Sequence, residues 1–496
     1  MRKLFFIVIA FLAFIAVVPI GMIATGTINV ASIPMMLNVM MGRDGPAANE
    51  GTVRTRYQVP EGFSIQLYAA NLPKARFMRF TQGGDLLVSR PHSGDIQLLR
   101  KDANGDGQPD SVTTLLSGLE RPLGLDFHEE WLYIAESDQV RKIRFNHSNG
   151  SVSGELESVV TGLTSNGNHW SKTLRIGPDK KLYLAQGSTC NVCKEEDKRR
   201  ATLMRINLDG TDQTIIATGL RNAVGFDWSP SDGKIYATDN GRDLLGDDFP
   251  PCELNRIETG GFYGWPYFNG NNLPDPDMGA DPQAESRTPI APVHSFPAHN
   301  APLGITFLTH PETPDAYRNS ALVALHGSWN RSELDGYKVV SLHWTDEGIE
   351  SRDFLTGFLQ GNDVSGRPVD IQQGPDGDIY ISDDFAGAIY RVSYGSGGSQ
   401  SSAILVPGKT VDKTPPAWLN NVNQPEMASL GKALYTDNAC ASCHELGENP
   451  KRLDNIATRR SYNEVMEAMT APQSPMPVYN FSESELRAIT LYLMSN

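Results

Sequence analysis

The sequence predicts a mainly β chain: a six-bladed β-propeller followed by a small all-α domain, with an N-terminal transmembrane or signal helix in front. Three observations predict this. A short β-rich phrase recurs six times between about residues 56 and 394. It stops at a Gly/Ser run, Gly395-Ser396-Gly397-Gly398-Ser399-Gln400-Ser401-Ser402, beyond which helical spacing takes over. The chain opens Met1-Arg2-Lys3, followed by uncharged, mostly apolar residues from Leu4 to Ala24.

Positive residues ahead of an apolar run favour an orientation that exports everything downstream. The run is long for a signal-peptide core and about right to cross a bilayer. No convincing small-x-small cleavage site and no lipoprotein cysteine follows it. An anchor or a signal over residues 1–27 therefore puts the bulk of the chain in the periplasm, tethered to the inner membrane if the helix is kept. Residues 28–55 read as a tether.

The repeated phrase is a Gly/Asp-rich turn, a β-rich run, a polar loop and a second β-rich run. Its copies are Gly84-Asp85-Leu86-Leu87-Val88, Trp131-Leu132-Tyr133-Ile134-Ala135, Lys181-Leu182-Tyr183-Leu184-Ala185, Lys234-Ile235-Tyr236-Ala237, Ala321-Leu322-Val323-Ala324 and Asp378-Ile379-Tyr380-Ile381-Ser382. Second runs include Val140-Arg141-Lys142-Ile143, Leu203-Met204-Arg205-Ile206 and Ile389-Tyr390-Arg391-Val392. Aromatic and β-branched runs between such turns are strands. Six spaced copies without helical periodicity predict propeller blades over 56–394, which close radially and leave few free edges. A β-sandwich is the alternative. The Gly/Ser run begins a flexible linker over 395–414. The domain at 415–496 ends in a helix that starts at Ser482-Glu483-Ser484-Glu485 and continues with Leu486, Ile489, Tyr492 and Leu493.

Cys440-Ala441-Ser442-Cys443-His444 is C-x-x-C-H, the attachment sequence of c-type haem. Two thiols, Cys440 and Cys443, add to the haem vinyl groups, and His444 is placed to ligate the iron. The segment resembles class I cytochrome c domains. Gly431 and Tyr435 stand where such domains bring helices together. Ser474-Pro475-Met476-Pro477 stands where they carry a Met sixth ligand, here Met476. A thioether ligand raises the haem potential, which suits an acceptor of electrons. Met466 and Met469 fall in a helical run and read as core.

Charge narrows the partners. Lys+Arg 43 against Asp+Glu 58 leaves a net charge of −15, which argues against nucleic-acid binding. Cys190-Asn191-Val192-Cys193 lacks a following His, so it is no second haem site. In an oxidising compartment a disulfide is its default, and Cys252 either joins that pairing or stays a buried thiol. Zinc would need a fourth ligand. Asp102-Ala103-Asn104-Gly105-Asp106-Gly107-Gln108-Pro109-Asp110 matches the start of an EF-hand-type calcium loop through Asp102, Asn104, Asp106 and Asp110. Position twelve is Thr113 rather than Glu, so a calcium-stapled loop and a bare Asp/Gly turn both remain open.

A fused haem implies redox chemistry upstream, and no G-x-G-x-x-G follows a strand, which argues against a nicotinamide or flavin site. Between about Gly62 and Tyr394 the chain resembles the soluble quinoprotein glucose/aldose sugar dehydrogenases, in the branch called L-sorbosone dehydrogenase-like. The resemblance rests on Asn168-His169-Trp170, Gly177-Pro178-Asp179, Gly219-Leu220-Arg221-Asn222, Glu253-Leu254-Asn255, Gly261-Phe262-Tyr263-Gly264-Trp265-Pro266, Ala301-Pro302-Leu303-Gly304 and Gly366-Arg367 with Asp370. It implies a six-bladed propeller holding pyrroloquinoline quinone (PQQ) with calcium. It implies His169 as the base, Arg221, Asn222 and Arg367 as cofactor contacts, and Arg331 as a looser further cation. It places calcium in the loop before Glu253, with Gly246, Asp247 and Asp248 as ligands. Two departures stand out: Ser188 replaces an Asp nineteen residues after the base, and Cys252 replaces the Asp before Glu253.

The expected activity is oxidation of a sugar, an aldose or aldosone such as sorbosone, by hydride transfer to PQQ. Electrons would leave through haem c to a soluble cytochrome or a respiratory-chain component. The rival readings are a calcium-dependent propeller lactonase or hydrolase, and a non-catalytic propeller carrying a cytochrome.

Overall fold

The computed structural model describes residues 42–281, 286–395 and, of the C-terminal segment, 416, 418–419, 422–438, 440, 444, 453, 456, 460–470, 479 and 481–495. The N-terminal helix expected over 1–27, nearly all of the linker, Cys443 and Met476 lie outside these. Among the described residues no helix is long and apolar enough to cross a membrane. The chain divides into two compact units, Met1–Val406 and Pro407–Asn496.

Six sheets form the blades of the first unit: five are four-stranded and antiparallel, and blade 3 gains a fifth, parallel strand at Gly261–Phe262. In blades 1 to 5 the innermost strand comes first in the chain. Blade 1 runs from Met78–Phe80 to Val112–Leu116, blade 2 from Leu125–His128 to Ser151–Val160, and blade 3 from Lys172–Ile176 to Thr214–Thr218. Blade 4 runs from Ala223–Trp228 to His294–Phe296 and blade 5 from Pro302–Phe307 to Gly348–Leu355. Blade 6 holds Pro368–Gln373, Ile379–Asp383 and Ala388–Tyr394, and its outer strand is the N-terminal Phe63–Ala69. That pairing closes the ring with both ends of the unit. Every innermost strand packs on the innermost strand of the next blade, all the way round. The six sequence copies are the second strands of blades 1 to 6.

The phrase repeats because one turn repeats. In blades 3, 4 and 6 a tyrosine hydroxyl donates to the aspartate four residues earlier: Tyr183 to Asp179, Tyr236 to Asp232 and Tyr380 to Asp376. The other oxygen of each aspartate caps the turn's own backbone N–H. Apolar side chains fill the space between blades, as Tyr236, Cys252 and Leu254 of blade 4 do against Ile305 and Val323 of blade 5.

At the axis the packing is ionic. Asp126, Asp227 and Asp370 lie on the innermost strands of blades 2, 4 and 6, and each accepts the backbone N–H of the following blade. The pairs are Asp126 with Ile176 N (2.7 Å), Asp227 with Phe307 N (2.9 Å) and Asp370 with Met78 N (2.9 Å). Arg79 donates to Asp126 at 2.8 Å and Arg175 to Asp227 at 3.1 Å. These bonds set the angular spacing of the blades.

Part of the expected tether is ordered on the propeller. Helix α1 (Glu50–Arg56) is capped by Asn49, which accepts the Thr52 N–H at 2.9 Å. It buries Val53, with Tyr57 just beyond it, against blades 5 and 6.

The second unit contains α2 (Gln424–Asp437), α3 (Tyr462–Thr470) and α4 (Glu483–Met494). Helix α4 starts at a full capping box between Ser482 and Glu485. It packs closely on α2 because position 431 is glycine: a Cβ there would meet the Ala488 carbonyl at 2.0 Å. Tyr435, Val465, Met469, Leu486, Ile489 and Leu493 form the core, with Met466 and Cys440 packed against it. Met466 and Met469 are thus core residues.

Asp126→Ala should lower stability by about 3–5 kcal/mol, because it leaves the Arg79 guanidinium and the Ile176 N–H buried without a partner. Denaturant titration followed by tryptophan fluorescence would measure this, and a loss under about 1 kcal/mol would show that the axial bonds are dispensable.

Candidate active site on the channel face

In an antiparallel blade, the start of the first strand and the end of the second share one edge. All loops entering first strands and leaving second strands therefore open on one face of the propeller. His169 precedes the first strand of blade 3, and Ser188 follows its second strand. Arg221 and Asn222 enter blade 4, Gly246, Asp247 and Asp248 follow its second strand, Arg331 follows the second strand of blade 5, and Arg367 enters blade 6. The candidate residues spread over two hundred positions of sequence thus share one face. The Asp102–Asp110 loop joins the third and fourth strands of blade 1, which places it on the opposite face.

His169 is the best-defined group of the site. Its Nδ1 lies 3.0 Å from the Ser188 carbonyl and 2.9 Å from the Ser188 hydroxyl. That hydroxyl donates onward to the Cys190 carbonyl at 2.6 Å. With both partners accepting, Nδ1 carries the proton and Nε2 keeps its lone pair, the arrangement a general base needs. Burial holds the imidazole well below its usual value, and the nearby Arg221 and Arg200 guanidiniums push it further down. Ser188, in place of an acid, orients the ring without adding negative charge.

Arg200 and Lys172 support this loop, and the sequence reading missed both. The Arg200 guanidinium is buried and donates to the carbonyls of Thr164, Asn166, Gly187, His169 and Ser188. Lys172 donates to the Thr164 and Trp170 carbonyls, and burial together with Arg200 lowers its pKa to about 7. Arg200 sits in the charged run Glu195-Glu196-Asp197-Lys198-Arg199-Arg200, which in sequence reads as a solvated face.

The predicted cofactor contacts divide. Arg221 is engaged by protein: Nε and Nη2 reach Asn191, Nη1 reaches the Asn240 and Gly241 carbonyls, and Nη2 also reaches Asp243 at 3.0 Å. Arg367 donates from Nε and Nη2 to the His326 and Gly327 carbonyls and keeps Nη1 without an acceptor among the described residues. The side-chain amide of Asn222 likewise has no hydrogen-bond partner among them. Beside it, the Asn240 Oδ1 and both polar side-chain atoms of Asn300 are buried and unpartnered. Arg76, His326 and Asp384 complete this face: Asp384 takes Arg76 at 2.5 Å and His326 at 2.8 Å. Burial, with Arg367 alongside, pushes His326 down to about 4.

This donor set fits a planar polycarboxylate quinone such as PQQ, since buried amide groups and an open guanidinium edge need acceptors. The cradle is steric as well. Gly187 lies between His169 and Asn222, where a Cβ would come within 2.6 Å of the His169 Cβ and 2.4 Å of the Asn222 Oδ1.

The loop expected to hold calcium is occupied by protein contacts. The Gly246 carbonyl takes His299 Nε2 at 2.7 Å, the Asp247 carbonyl takes Arg331, and the Asp247 carboxylate takes the Ser332 N–H and hydroxyl. Asp248 lies 3.6 Å from Arg331. With an arginine already there, these groups as placed do not form a calcium cage. On the other face, Asp102 accepts three backbone N–H bonds of its own loop and Arg391 at 3.3 Å, while Gly107 takes Gln66 at 2.7 Å. Asn104, Asp106 and Asp110 likewise turn onto the loop's N–H groups. The loop ties blade 1 to blade 6 across the closure.

Cys190 and Cys193 form a disulfide. Cys252 is a buried thiol that burial raises to about 11, so it is un-ionised at neutral pH. In the helical unit the His444 N–H donates to the Cys440 carbonyl at 3.0 Å.

The geometry describes a propeller that collects a base, open cations and buried amides on one face, coupled in sequence to a haem-attachment motif. The TrAA12-like family model matches residues 57–250 and 275–395, and the cytochrome c model matches 428–496. The chain belongs to the TrAA12-like family of PQQ-dependent sugar dehydrogenases and carries a cytochrome c domain. It is 33% identical to an uncharacterized protein of Borreliella burgdorferi over 69% of this chain and 92% of that one. It is 24% identical to a pyrroloquinoline quinone-dependent sugar dehydrogenase of Hypocrea jecorina, covering 66% of this chain and 87% of the relative. A calcium structure of the Trichoderma reesei family AA12 enzyme shares its fold, with a TM-score of 0.61, 21% identity and coverage of 70% or more of both chains (71% and 99%).

Two outcomes follow from the geometry. Because the base is neutral whenever the pH exceeds its lowered pKa, kcat/KM should stay flat from pH 8 down through 6.5 and fall only below that. Ser188→Asp, which puts an anion beside Nδ1, should move that fall upward, and an acid limb at or above 6.5 in the wild type would contradict the assignment. Gly187→Ala should cost about 100-fold in rate by displacing His169 and Asn222, read by steady-state dye reduction.

Proposed function

We propose that the protein oxidises a sugar, an aldose or aldosone, by passing hydride from a carbinol carbon to PQQ while His169 takes the hydroxyl proton. The carrying observation is His169 itself: Nδ1 is tied to Ser188, and Nε2 is left as a neutral acceptor on the face that also holds Arg367, Asn222, Asn240 and Asn300. Bound PQQ supplies a two-electron acceptor, and haem c supplies a one-electron outlet. The protein's own part is to seat the cofactor's carboxylates on Arg367 Nη1 and the amides, hold the imidazole in one tautomer and keep it unprotonated. Burial does most of the last of these, and the guanidiniums of Arg221 and Arg200 add to it.

Electrons then leave through haem held by Cys440, Cys443 and His444, with Met476 as the sixth ligand, to a periplasmic cytochrome or respiratory-chain acceptor. The Cys190–Cys193 disulfide and the C-x-x-C-H motif both support an exported location, with residues 1–27 as the anchor to the inner membrane. Calcium, which the sugar dehydrogenase resemblance implies, does not fit the Gly246–Asp248 loop as placed, so no step of this reading is assigned to it.

The test is reconstitution of purified protein with PQQ, with and without calcium, and a panel of aldoses. Dye reduction should require PQQ, should fall at least about 100-fold in His169→Ala, and should be accompanied by haem reduction in the visible spectrum. Dye reduction without PQQ, or undiminished in His169→Ala, would overturn the mechanism. Cys440→Ser should abolish covalent haem staining; a stain that survives would remove haem c from the scheme.

A further inference from the structure

Neither the electron path nor the cofactor contacts require a disulfide next to the base, yet one lies there. The half-buried Cys190–Cys193 bridge closes a loop of four residues between the second and third strands of blade 3. Every polar group this loop offers inward is used. The Cys190 carbonyl accepts the Ser188 hydroxyl that in turn holds His169 Nδ1. The Asn191 carbonyl accepts Arg221 Nε at 3.0 Å and the Trp265 indole at 3.2 Å. The Asn191 side-chain oxygen accepts Arg221 Nη2 and the Asp243 N–H, both at 2.8 Å, and its amide donates to the Asp243 carbonyl at 3.1 Å. On its outer side Glu195 fastens the preceding residue, accepting the Thr189 N–H and hydroxyl. One short loop thus bonds to the blade 3 base, the blade 4 arginine and the long loop of blade 4.

We propose that the Cys190–Cys193 disulfide is a positioning clamp: it fixes the loop that orients His169 through Ser188 and holds Arg221 behind the ring. Such a loop has no regular secondary structure of its own, and the cross-link removes the alternative conformations it would otherwise sample. The charges that face His169 are the Arg221 guanidinium, held by this loop, and the Arg200 guanidinium, held by five carbonyls. Ser188 is the only hydrogen-bond partner of the His169 ring among the described residues. Lys172, on the strand that follows, is directed to the Thr164 and Trp170 carbonyls. Opening the clamp admits water to the ring and loosens Arg221, and both changes favour the protonated imidazole. Freeing Ser188 works the other way, since an acceptor on Nδ1 favours the cation, so the net rise is set by hydration and the loss of Arg221.

The inference rests on His169 being the base, and its test is chosen to stand apart from activity. In full-length protein with histidine labelled at Cε1, the His169 resonance is assigned by its loss in His169→Gln, and its titration midpoint is measured without PQQ or sugar. Cys190→Ser/Cys193→Ser should move that midpoint upward by about one pH unit toward the ordinary imidazole value, while the circular dichroism and haem spectra stay as in the wild type. An unmoved midpoint overturns the clamp. Should the double variant fail to fold, the bridge is opened in the folded wild type with a phosphine reductant and its opening checked by thiol titration. The midpoint should then rise in the same direction, and an unmoved midpoint with the bridge shown open overturns the clamp equally. Absence of PQQ-dependent dye reduction in the wild type would instead refute the proposed function and leave this titration standing.

Discussion

The buried carboxylates on the propeller axis are the constraint on which the rest of this structure depends. Asp126, Asp227 and Asp370 each reach from one blade to a backbone N–H of the next, with Arg79 and Arg175 between them. Apolar packing between blades is non-directional and would tolerate sliding. A carboxylate that must meet a particular N–H and a particular guanidinium does not. These bonds fix the height of each innermost strand relative to its neighbours. That height decides whether the loops entering blades 3, 4 and 6 meet at one level, and the site consists of those loops.

The same economy of charge resolves a tension in the composition. A chain with net charge −15 is a poor host for a polycarboxylate unless cations are placed locally. The channel face supplies them as Arg76, Arg200, Arg221 and Arg367, but not all for direct contact. Arg200 is fully engaged with carbonyls, and Arg221 with carbonyls, Asn191 and the Asp243 carboxylate. Their contribution is electrostatic: they add to burial in disfavouring the protonated form of His169. Arg367 retains an open edge. Orientation of the imidazole by the neutral Ser188 belongs to the same design, because a carboxylate at position 188 would raise the pKa that burial and the arginines lower.

How much of this was legible in the sequence follows the range of the interaction involved. The blades were legible because the Asp-to-Tyr turn lies within four residues and repeats. The haem site was legible because both thiols and the histidine fall within five consecutive residues. His169, Arg221, Asn222 and Arg367 could be named by resemblance, yet their partners could not. Arg200 looked solvated because its neighbours are charged, although it is buried by carbonyls from a loop thirty residues earlier. Gly246, Asp247 and Asp248 had the composition of a cation loop, and only the fold showed Arg331, more than eighty residues away, lying against them. Asp102 has the spacing of a calcium loop, and Arg391 from the far end of the propeller stands beside it.

By itself, the sequence determined the number of blades, the break between propeller and helical unit and the presence of a cytochrome c domain, since each is written in spacing within a few residues. Only the tertiary structure decided which polar groups remain open. It left Arg367 Nη1, Asn222, Asn240 and Asn300 with unmet hydrogen bonds, closed Arg221 onto the disulfide loop, and kept Cys252 as an inert buried thiol. The physical reason is that whether a hydrogen bond is satisfied depends on every group within about 3 Å, and in a closed ring those groups come from blades at opposite ends of the chain.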